Sequence, residues 1–308
     1  MYRILTFDGG GILGLFTARV LECLETERPG VVAGAELFAG TSTGSIIALG
    51  LASGKTPSDL VKLYLERGPA IFAGGGDGWF AKLRNLIKPR YTPKGLRHAL
   101  TAELGNGTLG DLQRRVLVPT FDLKIDRPTK RPVWAPKFFH NFSGSDSDAD
   151  WPIVDVAMAS AAAPTYFPSH RGFIDGAMVA GNPTMAAVAQ ALDSRSSDMP
   201  AAGRRLADLS VLSIGTGTSP RHEDGDALRW GQLKWAGVLP SLMMSGMSGV
   251  ADYQCRQLLG DRYRRIDAEY PEPVEIDDAS DSAMQAIITA ADGVDLGPIL
   301  SWLETAWN

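Results

Sequence analysis

Ser42 stands between two glycines, in Gly40-Thr41-Ser42-Thr43-Gly44, and the chain changes character on either side of it. Residues 36–39 form a short apolar run of strand type. Residues 45–52 carry Ile46, Ile47, Leu49 and Leu51 in a helical segment that Gly54 stops. A strand that enters a helix through so tight a turn holds its central residue in a strained backbone conformation, and side chains at the flanking positions would collide. The same order occurs at the start of the chain. Residues 3–7 read as a buried strand, Asp8-Gly9-Gly10-Gly11 as a loop, and residues 15–24 as a helix with Leu15, Val20, Leu21 and Leu24 apolar. Strand, loop, helix, strand, turn, helix confines the chain to a largely parallel α/β sheet covered on both faces.

Gly74-Gly75-Gly76-Asp77-Gly78 reads as a connector and residues 79–88 as a short amphipathic helix. Residues 115–122 carry Val116, Leu117, Val118 and Phe121 and read as a strand, with Pro119 predicting an edge position. A Ser/Asp-rich loop over 143–150 precedes a helix over 154–163. Residues 172–177 form a strand running into a turn, 185–192 a helix, and 209–214 a buried strand that ends in Gly215-Thr216-Gly217. No internal repeat is visible. The polar loop over 194–203 leads into another strand, so one domain is expected over 1–308.

With 308 residues, 44% of them hydrophobic, the chain can fill the core of one large α/β domain. A net charge of -5 argues against binding a nucleic-acid polymer, whose phosphates demand a basic surplus. Cys23 and Cys255 are too few for a disulfide framework, and Cys23 is expected as a core thiol. Met1-Tyr2-Arg3 leads straight into a strand, and no apolar stretch is long enough to span a bilayer. The expectation is a cytoplasmic protein that meets membranes only from the surface.

The chemistry lies at the two strand-to-helix turns. Ser42 is a candidate nucleophile at a helix N-terminus, where negative charge is favoured; the rival reading is an ordinary Gly/Ser/Thr loop. Gly9, Gly10 and Gly11 offer backbone N–H groups free of side chains, an oxyanion hole for an acyl carbonyl under attack. The rival here is a tight strand-helix turn; a phosphate loop does not fit, because neither Gly-x-x-x-x-Gly-Lys-Ser/Thr nor Gly-x-Gly-x-x-Gly is present. Asp8 reads as an anchor of that loop. The base is less evident. Of His98, His140, His170 and His222, none sits in a strand-end motif, and His222 lies in polar Pro220-Arg221-His222-Glu223-Asp224. Asp175 follows apolar Phe173-Ile174 and precedes Gly176, so it is either a desolvated base for Ser42 or part of a common Asp-Gly hairpin turn.

These residues resemble the patatin-like phospholipase family. Its DGGG loop, G-x-S-x-G serine and later D-G-A/G aspartate occur here in order, as Asp8 to Gly11, Gly40 to Gly44 and Asp175-Gly176-Ala177. Further similarity lies in the run from Ser160 to Pro168, in Asn182-Pro183 and in Ser213-Ile214-Gly215-Thr216-Gly217, so the motifs fall within 4–217. The resemblance implies a three-layer α/β/α fold, a catalytic dyad of Ser42 and Asp175, an oxyanion hole at Gly9, Gly10 and Gly11, no metal or other cofactor, and membrane phospholipids as substrate. Residues 218–308 would then be a C-terminal extension, a lid or a regulatory region. One departure is plain: the family loop continues x-Arg-Gly, and here it continues Ile12-Leu13-Gly14. The backbone donors survive that change, whereas any anchoring or positive potential from the arginine does not.

Two segments are candidates for peripheral membrane contact. Residues 79–88 combine Trp79, Phe80, Leu83, Leu86 and Ile87 with Lys82, Arg84 and Lys88, which suits a helix in an anionic lipid surface or one packed on the core. Residues 236–250 are apolar and rich in methionine, which suits acyl-chain contact, a lid or the core. More loosely, residues 249–267 are similar to the cyclic-nucleotide-activated phospholipases of anti-phage defence. This implies a latent enzyme that a cyclic nucleotide, dimerisation or filament formation switches on, with a homo-oligomer among the expectations. Arg204, Arg205, Arg221, Arg262, Arg264 and Arg265 are the cations that would touch its phosphates, or else a solvated basic surface. Two other functional readings stay open: an α/β-hydrolase esterase with a Ser42-Asp175-His222 triad, and a nucleotide-sensing or scaffold protein with a vestigial site.

Overall fold

A computed structural model describes residues 1–71, 90–124, 131, 134–218 and 231–307, and of 232–234 and 236–241 the backbone alone. The residue 79–88 helix and His222 therefore lie outside the described residues.

The sheet contains β1 (Tyr2–Phe7), β2 (Leu37–Gly40), β3 (Arg115–Asp122), β4 (Ala135–His140), β5 (Phe173–Asp175), β6 (Leu209–Ile214) and β7 (Tyr263–Ile266). Its order is β4-β3-β2-β1-β6-β7, with β5 paired to β3. The pairs β1·β2, β1·β6, β2·β3 and β6·β7 are parallel; β3·β4 and β3·β5 are antiparallel. Side chains alternate between two cores, as strand geometry requires. Leu5, Phe7, Phe38, Val116, Val118, Leu212 and Ile214 enter one; Ile4, Leu37, Ala39, Leu117, Leu209 and Val211 enter the other.

The first core is covered by α1 (Gly14–Glu27), α3 (Thr43–Ala52), α4 (Pro57–Ile71), α5 (Pro93–Leu104), α6 (Ile153–Ser160), α10 (Asp281–Asp292) and α11 (Gly297–Ala306). The second is covered by α8 (Thr184–Ala191) and the long α9 (Gln232–Leu259), through Ala187, Val188, Ala191, Cys255 and Leu259. Two short helices, α2 (Val31–Gly34) and α7 (Ala177–Ala180), complete the connections. This is the three-layer α/β/α fold.

Two expectations are corrected. Pro119 does not mark an edge: β3 lies inside the sheet, with β4 on one side and, on the other, β2 beside residues 115–117 and then β5 beside residues 120–122. Pro119 falls in the gap between those two partners, the one place on that side where no neighbouring strand is in register. Cys23 is half-buried on α1, where its thiol approaches Asp292, and not a core thiol. Residues 218–308 contribute β7 to the central sheet and α10 and α11 to the first core. Among the described residues, no single helix is long and apolar enough to cross a membrane.

Candidate active site

The register pairs Phe7 with both Gly40 and Ile214, so the carboxyl ends of β1, β2 and β6 lie side by side. The glycine loop, the serine turn and Gly215-Thr216-Gly217 thereby meet at one edge of the sheet. Ligands of α/β sheets bind at this edge.

Ser42 has φ 53° and ψ −118°, a conformation few side chains adopt. A Cβ on Gly40 would run into the Gly44 carbonyl, and one on Gly44 into the carbonyls of Phe7 and Asp8. Only glycines let the turn sit this close to β1. The Ser42 N–H donates to Ser160 Oγ (2.9 Å), which donates to the Pro119 carbonyl (2.7 Å). Ser45 Oγ donates to the Ser42 carbonyl (2.6 Å). The strained backbone is held on both sides, and only the side chain is left to aim.

It aims at Asp175. Ser42 Oγ donates to Asp175 Oδ2 at 2.7 Å, and the Ala177 N–H donates to Oδ1 at 2.7 Å. Ser42 is 8% exposed and Asp175 4%. Gly176 does not start a hairpin; it opens α7, pressed so close to Pro119 that a Cβ would strike the Pro119 carbonyl. Burial pushes the Asp175 carboxyl up to about 6, against the pull of the Ala177 and Ser42 hydrogen bonds. The carboxylate reaches Oγ directly, leaving no place for an imidazole between them. Of the described histidines, His98 is exposed on α5, His170 bonds Asp155 and His140 lies beside Asp148; none of the three bonds Ser42 or Asp175.

The glycine loop divides its work. The Gly9 N–H donates to the Gly181 carbonyl (2.9 Å), which ties the loop to the segment after α7 and takes this donor away from the cavity. The Gly9 N–H is therefore engaged with Gly181 in this structure. Among the described residues, the N–H groups of Gly10 and Gly11 have no partner, and both glycines line the cavity with Ser42. Gly11 has φ +60°, and a Cβ on Gly10 would meet Thr216 Oγ1 at 2.6 Å.

Asp8 anchors the loop from beneath. Its Oδ2 accepts from Arg265 (2.7 Å) on β7 and from Ser248 Oγ (3.0 Å) on α9. Arg265 also bonds Asp267 and Ser213 Oγ. Leu13 points into the apolar core. A cation from 257 residues downstream therefore holds the loop in a chain that lacks the expected arginine. Sequence reasoning missed Ser248 and Arg265 as supports of the site, because no local pattern marks residues that meet only in the fold; Ser160 heads a family-like run, but its bond to the Ser42 N–H is visible only in the fold.

Ser42 and Asp175 open onto a cavity of about 540 Å³ with mostly apolar walls, among them Ile46, Leu63, Leu96, Leu100 and Ile276. That size lies in the range of small-ligand sites. Met243, Met244 and Met247 of α9 form part of the wall, so the described methionines of the 236–250 segment face the cavity. Four of the six arginines considered for phosphates have partners within the chain. Arg204 bonds the Ala191 carbonyl and covers Tyr2, Arg205 pairs with Asp208, Arg264 bonds the Asp261 and Tyr263 carbonyls, and Arg265 pairs with Asp8. Arg262 is half-buried, and Arg221 lies outside the described residues.

A buried serine bonded to a carboxylate, above an apolar cavity on a three-layer α/β fold, suits attack on the ester of an apolar acyl group. The family model for patatin-like phospholipases matches residues 5–188. A Bacillus subtilis protein named as a sporulation hydrolase, CotR, is 31% identical over 336 residues, covering 100% of this chain and 98% of the relative. A Pseudomonas aeruginosa protein named cGAMP-activated phospholipase is 35% identical over 279 residues, covering 86% and 78%. Patatin-07 of Solanum tuberosum is 26% identical over 342 residues, covering 97% and 85%. The chain belongs to the patatin-like phospholipase family, and with it to the lipid acyl hydrolases.

Proposed function

We propose that the protein cleaves fatty-acyl esters of membrane phospholipids by a Ser42–Asp175 dyad, with the oxyanion held by the Gly10 and Gly11 N–H groups. The observation that carries this reading is the direct 2.7 Å bond from Ser42 Oγ to Asp175 Oδ2, with no histidine between them among the described residues. As Oγ bonds to the acyl carbon, its proton passes to Oδ2, and the carbonyl oxygen becomes an oxyanion. The oxyanion collapses, the ester bond breaks, and Asp175 returns the proton to the departing lysolipid hydroxyl. Water then attacks the acyl-serine as Asp175 takes its proton; the Oγ–acyl bond breaks, Asp175 passes that proton to Ser42 Oγ, and the fatty acid leaves.

Activation by a cyclic nucleotide is the finer part of the proposal. Its support is the likeness to relatives named cGAMP-activated phospholipase. The test is to incubate wild type, Ser42→Ala and Asp175→Asn with mixed phospholipid vesicles, with and without a cyclic-nucleotide panel including cGAMP. Fatty acid and lysolipid released by wild type alone are expected. Release by Ser42→Ala overturns the nucleophile, and a wild-type rate indifferent to every nucleotide overturns the activation.

A further inference from the structure

Helix α9 has two faces of unlike function. Inward, Cys255, Leu259 and Ala251 pack against the sheet, and Ser248 bonds Asp8. Outward, Leu242, Val250 and Tyr253 are 53%, 56% and 65% exposed, and Met243 is 49% exposed. Leu242, Gly246, Gly249 and Tyr253 recur every three or four residues, so they form one stripe along the solvent side of the helix. The chain carries no charged residue from 235 to 251. A contiguous apolar face of this kind marks an interaction surface.

Its position identifies the partner. Met243 and Met247 belong at once to the wall of the Ser42 cavity and to an open groove of about 610 Å³ between α9 and α7–α8, which exposed Gly246 and Val250 also line. Met178, 43% exposed, completes the rim of the cavity from α7. The apolar surface is thus continuous from the outer stripe, past Met243 and Met178, to Ser42. A second copy seated on this face would seal that rim. A bilayer seated on it would present acyl chains to it.

We propose that the outer face of α9 is the surface on which the protein sits on a phospholipid bilayer, so that an acyl chain enters past Met243 and Met178. The inference rests on the lipid acyl hydrolase reading above and adds where the lipid comes in. With a net charge of -5 and an uncharged stripe, docking here works by insertion of apolar side chains and not by attraction to anionic headgroups.

The experiment uses phosphatidylcholine vesicles, which carry no net charge, and the Ser42→Ala protein, which leaves them intact. Sedimentation with the vesicles is expected at low and high salt alike. Leu242→Glu combined with Tyr253→Glu is expected to lower it at least tenfold. With Ser42 restored, the same double variant should hydrolyse a soluble short-chain ester at the wild-type rate. Vesicle binding that survives the double variant, or that high salt abolishes, overturns the proposal. So does a double variant that turns a dimer into a monomer while still binding vesicles, since the face would then join two copies. Intact vesicle binding with no hydrolysis of the soluble ester by wild type, with the cyclic-nucleotide panel present, strikes the proposed reaction and leaves the docking surface standing.

Discussion

Asp8 and Asp175 are each 4% exposed and each sit at a strand end beside glycine, yet their surroundings assign them opposite work. Asp8 faces the Arg265 guanidinium at 2.7 Å; burial leaves its carboxyl raised even so, with the guanidinium pulling against the rise. Among the described residues, Asp175 faces no cation. Two hydrogen bonds are all that oppose its burial, and the carboxyl rises to about 6. Both carboxyls are raised, but Asp8 is committed to an ion pair, whereas Asp175 has its free oxygen on the Ser42 hydroxyl and can take up its proton as a general base. Residue type and burial are the same, so the neighbour's charge separates an anchor from a base.

The largest effects should come from breaking the dyad. Ser42→Ala should lower acyl hydrolysis by on the order of 10⁴-fold or more, because nucleophile loss leaves only binding and oxyanion stabilisation. Asp175→Asn should cost about 10³-fold and yet leave the protein more stable. The raised pKa means the folded chain keeps a proton that the unfolded chain loses between pH 3.8 and about 6. Wild type therefore loses stability as pH rises through that window, and above it the penalty is about 3 kcal/mol. Asparagine has no such proton, so denaturation should show the gain at pH 7 and not below pH 4. A variant less stable than wild type at pH 7 would place a compensating charge near Asp175 and erase the contrast with Asp8.

At Asp8 the sign reverses. Arg265→Leu strands buried Asp8 without its cation and should destabilise the fold by about 3–5 kcal/mol. Adding Asp8→Asn should recover part of that loss, which a double-mutant cycle in denaturant would measure. Acidity offers a milder test: hydrolysis of a soluble ester should be flat near neutrality and fall tenfold per pH unit below about 6, as Asp175 is protonated. A profile that stays level to pH 5 would mean that the base is not Asp175.

The two aspartates also mark how far the sequence is legible. Asp175, Ser42 and the glycine loop are readable because each lies where an apolar run ends in a tight turn, a pattern a few residues long. The strands 3–7 and 209–214 and the helix over 45–52 are readable for the same reason. The Asp8–Arg265 pair has no local signature: it joins residues 257 apart, and Arg265 looks in sequence like one more exposed cation. Pro119 misleads because its rule concerns a strand with one missing partner, and β3 exchanges β2 for β5 at that residue. Strand β4, with Pro136 and Lys137 among its apolar residues, lacks the continuous apolar run of the parallel strands.

The smallest effect separates the roles within the loop that Asp8 anchors. Gly9 and Gly10 are adjacent and look equivalent in sequence, but a Cβ on Gly9 meets Ser42 Cβ and the Thr41 carbonyl at 3.4 Å, ordinary contact, while one on Gly10 drives into Thr216. The Gly9 N–H already serves Gly181, and alanine keeps that bond. Gly9→Ala should therefore change the rate less than about threefold and leave stability within about 1 kcal/mol, since alanine also restricts the unfolded chain. Gly10→Ala displaces a free donor and should cost roughly 10²-fold. Side-by-side ester hydrolysis and denaturation curves decide the matter. Equal, large rate losses in both variants would return Gly9 to the oxyanion hole and make Gly181 a competitor for its N–H instead of its fixed partner.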